Sequence, residues 1–206
     1  MSTQKVSSDT SRNIALHTLL TRFIVRLAGI AALCASAAVS AQGSAGPYVP
    51  TPWPIVDEMF KAAKINKNDY LIDIGSGDGR LVITAAKRYG ARGLGIDIQP
   101  ALVELATANA AKEDVTDRVE FLVGDIFETN LLSRASIITV YLLPSIMDKL
   151  VPKLLRDLKP GTRIVSHDYP LEGMKYDSVE EFNFKEKLEI SGTTRTLIYH
   201  YTVPAR

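Results

Sequence analysis

Apolar residues in this chain cluster into short runs, and the stretches between the runs carry apolar positions at helical spacing. Leu71, Ile72 and Ile74 form one run and Leu94, Ile96 and Ile98 another; further runs lie at 119–123, 136–142 and 162–167. Runs this short and this apolar read as strands buried on both faces, as in parallel sheets, the first two over 70–74 and 93–97. The segments 80–89, 100–112 and 145–157 read instead as helices, and Ile55, Val56, Met59, Phe60 and Ala63 place a further helix ahead of the first strand. The alternation of strand and helix predicts an α/β fold, a doubly wound and mostly parallel sheet covered by helices on both faces. The tail breaks this rhythm. Residues 183–190 and 195–203 read as two strands joined by Ser191-Gly-Thr-Thr194, which predicts a C-terminal antiparallel hairpin.

The junction between the first strand and its helix is the place to look for chemistry. It reads Asp73-Ile-Gly75-Ser-Gly77-Asp-Gly79-Arg80, with glycines at alternate positions. Glycine can take positive φ and lets a ligand approach the main chain, while a helix start adds free N–H donors and partial positive charge. The same glycines also suit a bare tight turn. Two further acids stand at predicted strand ends: Asp97 in Gly95-Ile-Asp97-Ile98 and Asp125 in Gly124-Asp125-Ile126. Open α/β sheets bind ligands at the carboxyl ends of their strands, near the point where strand order reverses. There Asp97 can accept from both ribose hydroxyls of a nucleoside and Asp125 from an adenine amine, with Ile98 and Ile126 flanking the base. Each acid alone suits a cap or turn equally well; the set points to a nucleoside site.

The first 41 residues differ in kind. Lys5, Arg12, Arg22 and Arg26 precede the apolar stretch Leu27–Val39, and Val39-Ser-Ala41 offers small residues for cleavage, the pattern of a secretory signal. An exported or inner-membrane location is therefore expected, with membrane association through residues 23–39, and a cytoplasmic one if the start is misassigned. A Gly/Pro-rich linker at 42–54 leads into a domain expected over 55–206. The chain has 24 Lys and Arg against 23 Asp and Glu; four basic residues and one acid fall in 1–41, which leaves 20 against 22. So balanced a charge gives no support to a nucleic-acid partner. The single cysteine, Cys34, lies in the signal-like segment, so the domain has no thiolate for catalysis or metal binding, and no metal is expected.

Taken together, these motifs resemble the class I S-adenosylmethionine-dependent methyltransferases, over residues 50–203. The resemblance rests on Asp73-Ile-Gly75-Ser-Gly77-Asp-Gly79, Gly95-Ile-Asp97, Gly124-Asp125-Ile126 and Leu158-Lys-Pro-Gly161. Dinucleotide-binding dehydrogenases space their glycines as G-x-G-x-x-G, unlike this loop. The resemblance implies a seven-stranded Rossmann-like sheet and S-adenosylmethionine held by Asp73, Gly75, Gly77, Gly79, Asp97, Ile98, Asp125 and Ile126, with Thr51 over its amino-acid end. Pro47-Tyr-Val-Pro-Thr51-Pro and Tyr141-Leu-Leu-Pro144 are similar to a bacterial branch related to seven-strand protein lysine methyltransferases. The Asn/Asp-Pro-Pro-Tyr sequence typical of enzymes acting on amide or base nitrogens is missing. The resemblance to the lysine methyltransferases implies transfer to a protein lysine amine; small-molecule O- or N-methylation and a nucleoside-binding module without turnover share every cofactor residue.

An attacking lysine must first lose its proton, and a partly apolar site lowers its pKa. Tyr141 at the end of the fourth strand is expected to orient the acceptor, and His167 or Asp168 after the fifth to handle the proton or steer charge. Each also has a plain structural reading, Tyr141 as a wall residue and His167 as a hydrogen-bonded loop residue. Trp53 and Tyr48 are expected to pack on the first helix, Lys149, Lys153 and Arg156 to form a solvated basic face, and His200 to be structural.

Overall fold

The structure, a computed structural model, describes residues 48–205. The signal-like segment 1–41 and the apolar stretch 23–39 lie outside the described residues. Among the described residues, no helix is long and apolar enough to cross a membrane.

Among the described residues five α-helices and seven strands follow in order, with a short 3-10 turn at Leu131–Arg134: α1 (Trp53–Ala63), β1 (Tyr70–Ile74), α2 (Arg80–Tyr89), β2 (Arg92–Asp97), α3 (Pro100–Lys112), β3 (Val119–Val123), β4 (Ile137–Val140), α4 (Pro144–Asp157), β5 (Arg163–His167), β6 (Ser178–Asn183), α5 (Lys185–Ser191) and β7 (Arg195–Thr202). The boundaries have local causes. Pro100 and Pro144 open α3 and α4, where a missing N–H costs nothing and φ is already helical. Gly90 ends α2 in the left-handed conformation; its N–H returns to the Ala86 carbonyl and that of Ala91 to the Ala85 carbonyl.

The strands form one sheet in the order β3-β2-β1-β4-β5-β7-β6, the seven-stranded arrangement expected from sequence. β1 pairs in parallel with β2 and with β4, so strand order reverses on either side of β1. β7 runs antiparallel to both β5 and β6. One face of the sheet is covered by α1 and α2, where Ile55, Met59, Phe60 and Val82 pack on Leu71, Ile137 and Val165. On the other face Met147, Leu150 and Leu154 of α4 pack with Ile72, Ile138 and Ile164. In β1, β4 and β5 neighbouring residues serve opposite cores, as Leu71 and Ile72, Ile137 and Ile138, and Ile164 and Val165 do, which is why these strands read as apolar runs.

Three expectations are corrected. Residues 185–191 are helical, and the strand that pairs with β7 is Ser178–Asn183. Phe182, Phe184, Leu188 and Ile190 sit at even spacing and so imitate a strand, yet Leu188 and Ile190 are exposed and α5 buries Lys187. Lys153 is not on a solvated face: it is 6% exposed, and its Nζ donates to the Thr129 carbonyl at 2.6 Å and Asp157 Oδ2 at 2.7 Å. Trp53 opens α1 half-exposed rather than packed down on it.

A polar clamp closes the sheet end away from the glycine loop. Buried Asp69 accepts at Oδ2 from the backbone N–H and side-chain amide of Asn66, each at 2.8 Å, and at Oδ1 from Ser136 Oγ at 2.8 Å. Arg163 pairs with the same carboxylate and donates to the carbonyls of Ala63 at 2.5 Å and Lys64 at 3.1 Å. The end of α1 and the starts of β1, β4 and β5 are fastened by one carboxylate.

Candidate methyl-donor and acceptor site

The loops after β1 and β4 face each other across the crevice where strand order reverses. A Cβ on Gly75 would come within 2.6 Å of the Leu142 side chain, so the two loops meet here, and the positive φ of Gly75 favours glycine at the contact. Gly75, Gly77 and Gly79 all have positive φ, at 77°, 54° and 81°. The loop is anchored beneath: the N–H groups of Gly75 and Ser76 donate to the Ile96 carbonyl at 2.9 and 3.1 Å, and that of Gly79 to the Ser76 carbonyl at 2.9 Å. Gly95 in β2 leaves room for it, since a Cβ there would meet Ser76 Oγ at 2.6 Å and Phe121 at 2.5 Å.

Asp97 connects this loop to the next. Its Oδ2 accepts from the N–H of Gly77 and its Oδ1 from that of Gln99, both at 2.9 Å, while its carbonyl accepts from Gly124 N–H at 2.9 Å. A carboxylate offers about four lone-pair positions, and two backbone bonds leave the others for a pair of hydroxyls. Asp125 is exposed, and its Oδ1 holds the Phe127 N–H at 2.8 Å in an Asx turn. Ile98 is half-buried and Ile126 buried.

Asp73 is buried at the end of β1, and its Oδ1 accepts from Thr139 Oγ1 of β4 at 2.6 Å. Loss of hydration raises its pKa to about 7 against the help of Thr139, and the charges of Asp97 and Asp78 push the same way. Ser76 Oγ is also buried and has no hydrogen-bond partner. An unpaired hydroxyl, a carboxylate with open lone pairs and a glycine cradle fit a polar, cationic ligand.

On the β4 and β5 side the end residues are aromatic. The Tyr141 ring lies 4.0 Å from the His167 ring and 6.1 Å from that of Tyr169, centroid to centroid. His167 ends β5 at 0% exposure, with Nδ1 3.4 Å from Thr51 Oγ1 and Nε2 without a hydrogen bond. Burial lowers its pKa to about 4, so the ring is uncharged near neutral pH. Burial, then the negative charge of Asp168, pushes Tyr141 up to about 12. Asp168 stands at φ 64°, held by its own N–H to the Leu197 carbonyl at 2.7 Å and by an ion pair with Lys187, whose Nζ lies 2.6 Å from Oδ2. Lys187 is 2% exposed, so both charges are committed to this pair.

Sequence reasoning thus gathered the glycine loop and Asp73, Asp97, Ile98, Asp125 and Ile126 at the carboxyl ends of β1 to β3, and Tyr141, His167 and Asp168 at those of β4 and β5. It missed Ser76, Thr139 and Lys187, and it gave no role to Arg80. Tyr48, expected on α1, lies against the loop instead, its ring filling the space that a Gly77 Cβ would need.

Residues 73–178 match the model of the ANTKMT methyltransferase domain family. A protein-lysine N-methyltransferase of the archaeon Saccharolobus islandicus is 37% identical over 159 residues, 76% of this chain and 93% of that protein. The adenine nucleotide translocase lysine N-methyltransferase of Mus musculus is 35% identical over 102 residues, covering 49% of this chain and 44% of its own length, so the chain spans less than half of that relative. Among solved structures, an RNA methyltransferase from Salinibacter ruber in complex with S-adenosyl-L-homocysteine is 44% identical, with a TM-score of 0.69 over 77% of this chain and 95% of that one.

Proposed function

The chain belongs to the ANTKMT methyltransferase domain family, and on that premise we propose that it transfers the methyl group of S-adenosylmethionine to a lysine amine of a protein acceptor. The observation that carries the acceptor is the 37% identity to a protein-lysine N-methyltransferase across 93% of that enzyme.

The donor fits the loop side of the crevice. Asp97 would hold the ribose hydroxyls, Ile98 and Ile126 would flank the adenine, and Asp125 would accept from its amine. Asp73, Gly75, Gly77 and Gly79 would line the amino-acid end, with Thr51 above it. When bound, S-adenosylmethionine supplies a methyl group already activated by its sulfonium. What remains for the protein is to align an unprotonated amine and exclude water, and alignment alone is worth up to roughly 7 to 11 kcal/mol in well-oriented systems.

Tyr141 orients that amine with a hydroxyl that keeps its proton. Uncharged His167 adds no repulsion to an arriving ammonium, and loss of hydration on entering the crevice disfavours the charged form of the acceptor. Asp168 acts at the mouth as half of an ion pair rather than as a free base.

Methylation of RNA is the second reading, favoured by the 44% identity to the Salinibacter enzyme. Tyr141-Leu-Leu-Pro144 in place of the Asn/Asp-Pro-Pro-Tyr sequence speaks against a base nitrogen. Labelled S-adenosylmethionine offered with whole-cell protein and with total RNA separates the two. Label on protein that survives nuclease and maps to lysine is the expected outcome; label confined to RNA overturns the lysine reading.

A further inference from the structure

Arg80 stands where helix electrostatics disfavour it. It is the first residue of α2, whose first turn holds no acid, so a cation faces the positive end of the helix dipole. A local rule broken at a site is a pointer to a task. Here the guanidinium grips in three directions. Nε donates to Asp78 Oδ1 at 2.9 Å and Nη2 to Asp78 Oδ2 at 2.7 Å, a forked pair within the glycine loop. Nη1 donates to the Thr51 carbonyl at 2.7 Å, and the same group lies over the Trp53 ring, 5.1 Å from its centroid. Burial alone would raise the pKa of Asp78; Arg80 and then the Tyr48 hydroxyl outweigh it and hold the carboxylate charged.

Residues 48–52 therefore form a strap across the loop. Its leading ring, Tyr48, rests on Gly77, whose N–H is bonded to Asp97. Its far end, Thr51, reaches His167 on the acceptor side. One guanidinium thus couples the glycine loop to the segment that touches both halves of the crevice.

We propose that Arg80 is a positioning residue for the methyl donor: through the Thr51 carbonyl and the Trp53 ring it latches the strap Tyr48–Pro52 down on the glycine loop, and the strap lifts for donor entry and product release. This rests on the reading of the loop as the donor site.

Trp53 is the only tryptophan of the chain and lies under the latch, so its fluorescence reports the strap directly. In the full chain, titration with S-adenosylhomocysteine is expected to change Trp53 emission. Arg80→Gln should release S-adenosylhomocysteine about tenfold faster in stopped flow and raise the KM for the donor about tenfold, with kcat within about threefold, as for one lost charge-assisted contact. Arg80→Lys keeps the charge but not the fork and should not restore tight binding. If Arg80→Gln melts the domain, Tyr48→Ala, an exposed side chain at the strap tip, should show the same faster release. Release at the wild-type rate from a folded variant overturns the latch and leaves the strap as a brace for α1. Absence of any binding by the wild-type chain overturns the donor reading itself.

Discussion

Two buried titratable side chains, Asp73 and His167, set opposite pH responses in one crevice. With its pKa raised to about 7, Asp73 in the free protein holds a proton that the unfolded chain, at 3.8, has already released. Its contribution to stability is therefore present at low pH and lost as pH rises through 7. A cationic donor favours the carboxylate, so binding at pH 7 should release roughly half a proton and weaken as pH falls from 8 to 6. Calorimetry in buffers of different ionisation enthalpy measures this directly, and proton release that persists in Asp73→Asn would place the group elsewhere. His167 carries the reverse sign. Its pKa falls from 6.5 to about 4 on burial, so its share of stability is full above 6.5 and is lost towards pH 4, a change approaching roughly 3 kcal/mol. Denaturant unfolding of wild type and His167→Phe at pH 7 and pH 4.5 should show the smaller acid loss in the variant; equal losses would rule His167 out. At this scale, what was legible in the sequence were the glycines and acids that act through their own backbone neighbourhood. Thr139 beside Asp73 is 66 residues distant in the chain and Lys187 beside Asp168 is 19, and no local pattern announces such partners.

Strands β1 to β5 were readable because each carries a short apolar run, and because glycines, prolines and acids punctuate their ends. The end of the sheet beyond β5 was not. Every residue of β6 except Phe182 is exposed, so the strand offers no apolar alternation, while the even spacing of Phe182, Phe184, Leu188 and Ile190 drew the strand forward into what is α5. The helix signals were present in Lys185-Glu-Lys-Leu-Glu189 and in Gly192, which ends α5 at φ 73°. The Asp69 clamp belongs to this scale, since it joins four elements and lies at the end of the sheet opposite the donor loop. Asp69→Ala would leave Arg163 with only the Ala63 and Lys64 carbonyls and the Asn66 N–H groups without their acceptor, and should cost about 2 kcal/mol in urea unfolding. Donor affinity measured well below the unfolding midpoint should stay at the wild-type value. A cost under about 1 kcal/mol would mean that water or neighbouring carbonyls replace the carboxylate.

Across the molecule, the division of labour follows the sheet. The ends of β1, β2 and β3 carry glycines and acids, on the side proposed for the donor, whereas those of β4 and β5 carry aromatic rings and a neutral imidazole, on the side proposed for the acceptor. The strap reaches both, through Tyr48 at Gly77 and Thr51 at His167. The sheet order holds one more consequence, for assembly rather than chemistry. β6 comes before β7 in the chain but meets the sheet only through it, since β7 lies between β5 and β6. Until β7 docks, β5 keeps an open edge and β6 has no neighbour. The sheet therefore cannot grow outward in the order in which its strands are made, and β7 must enter between two strands that precede it in the chain.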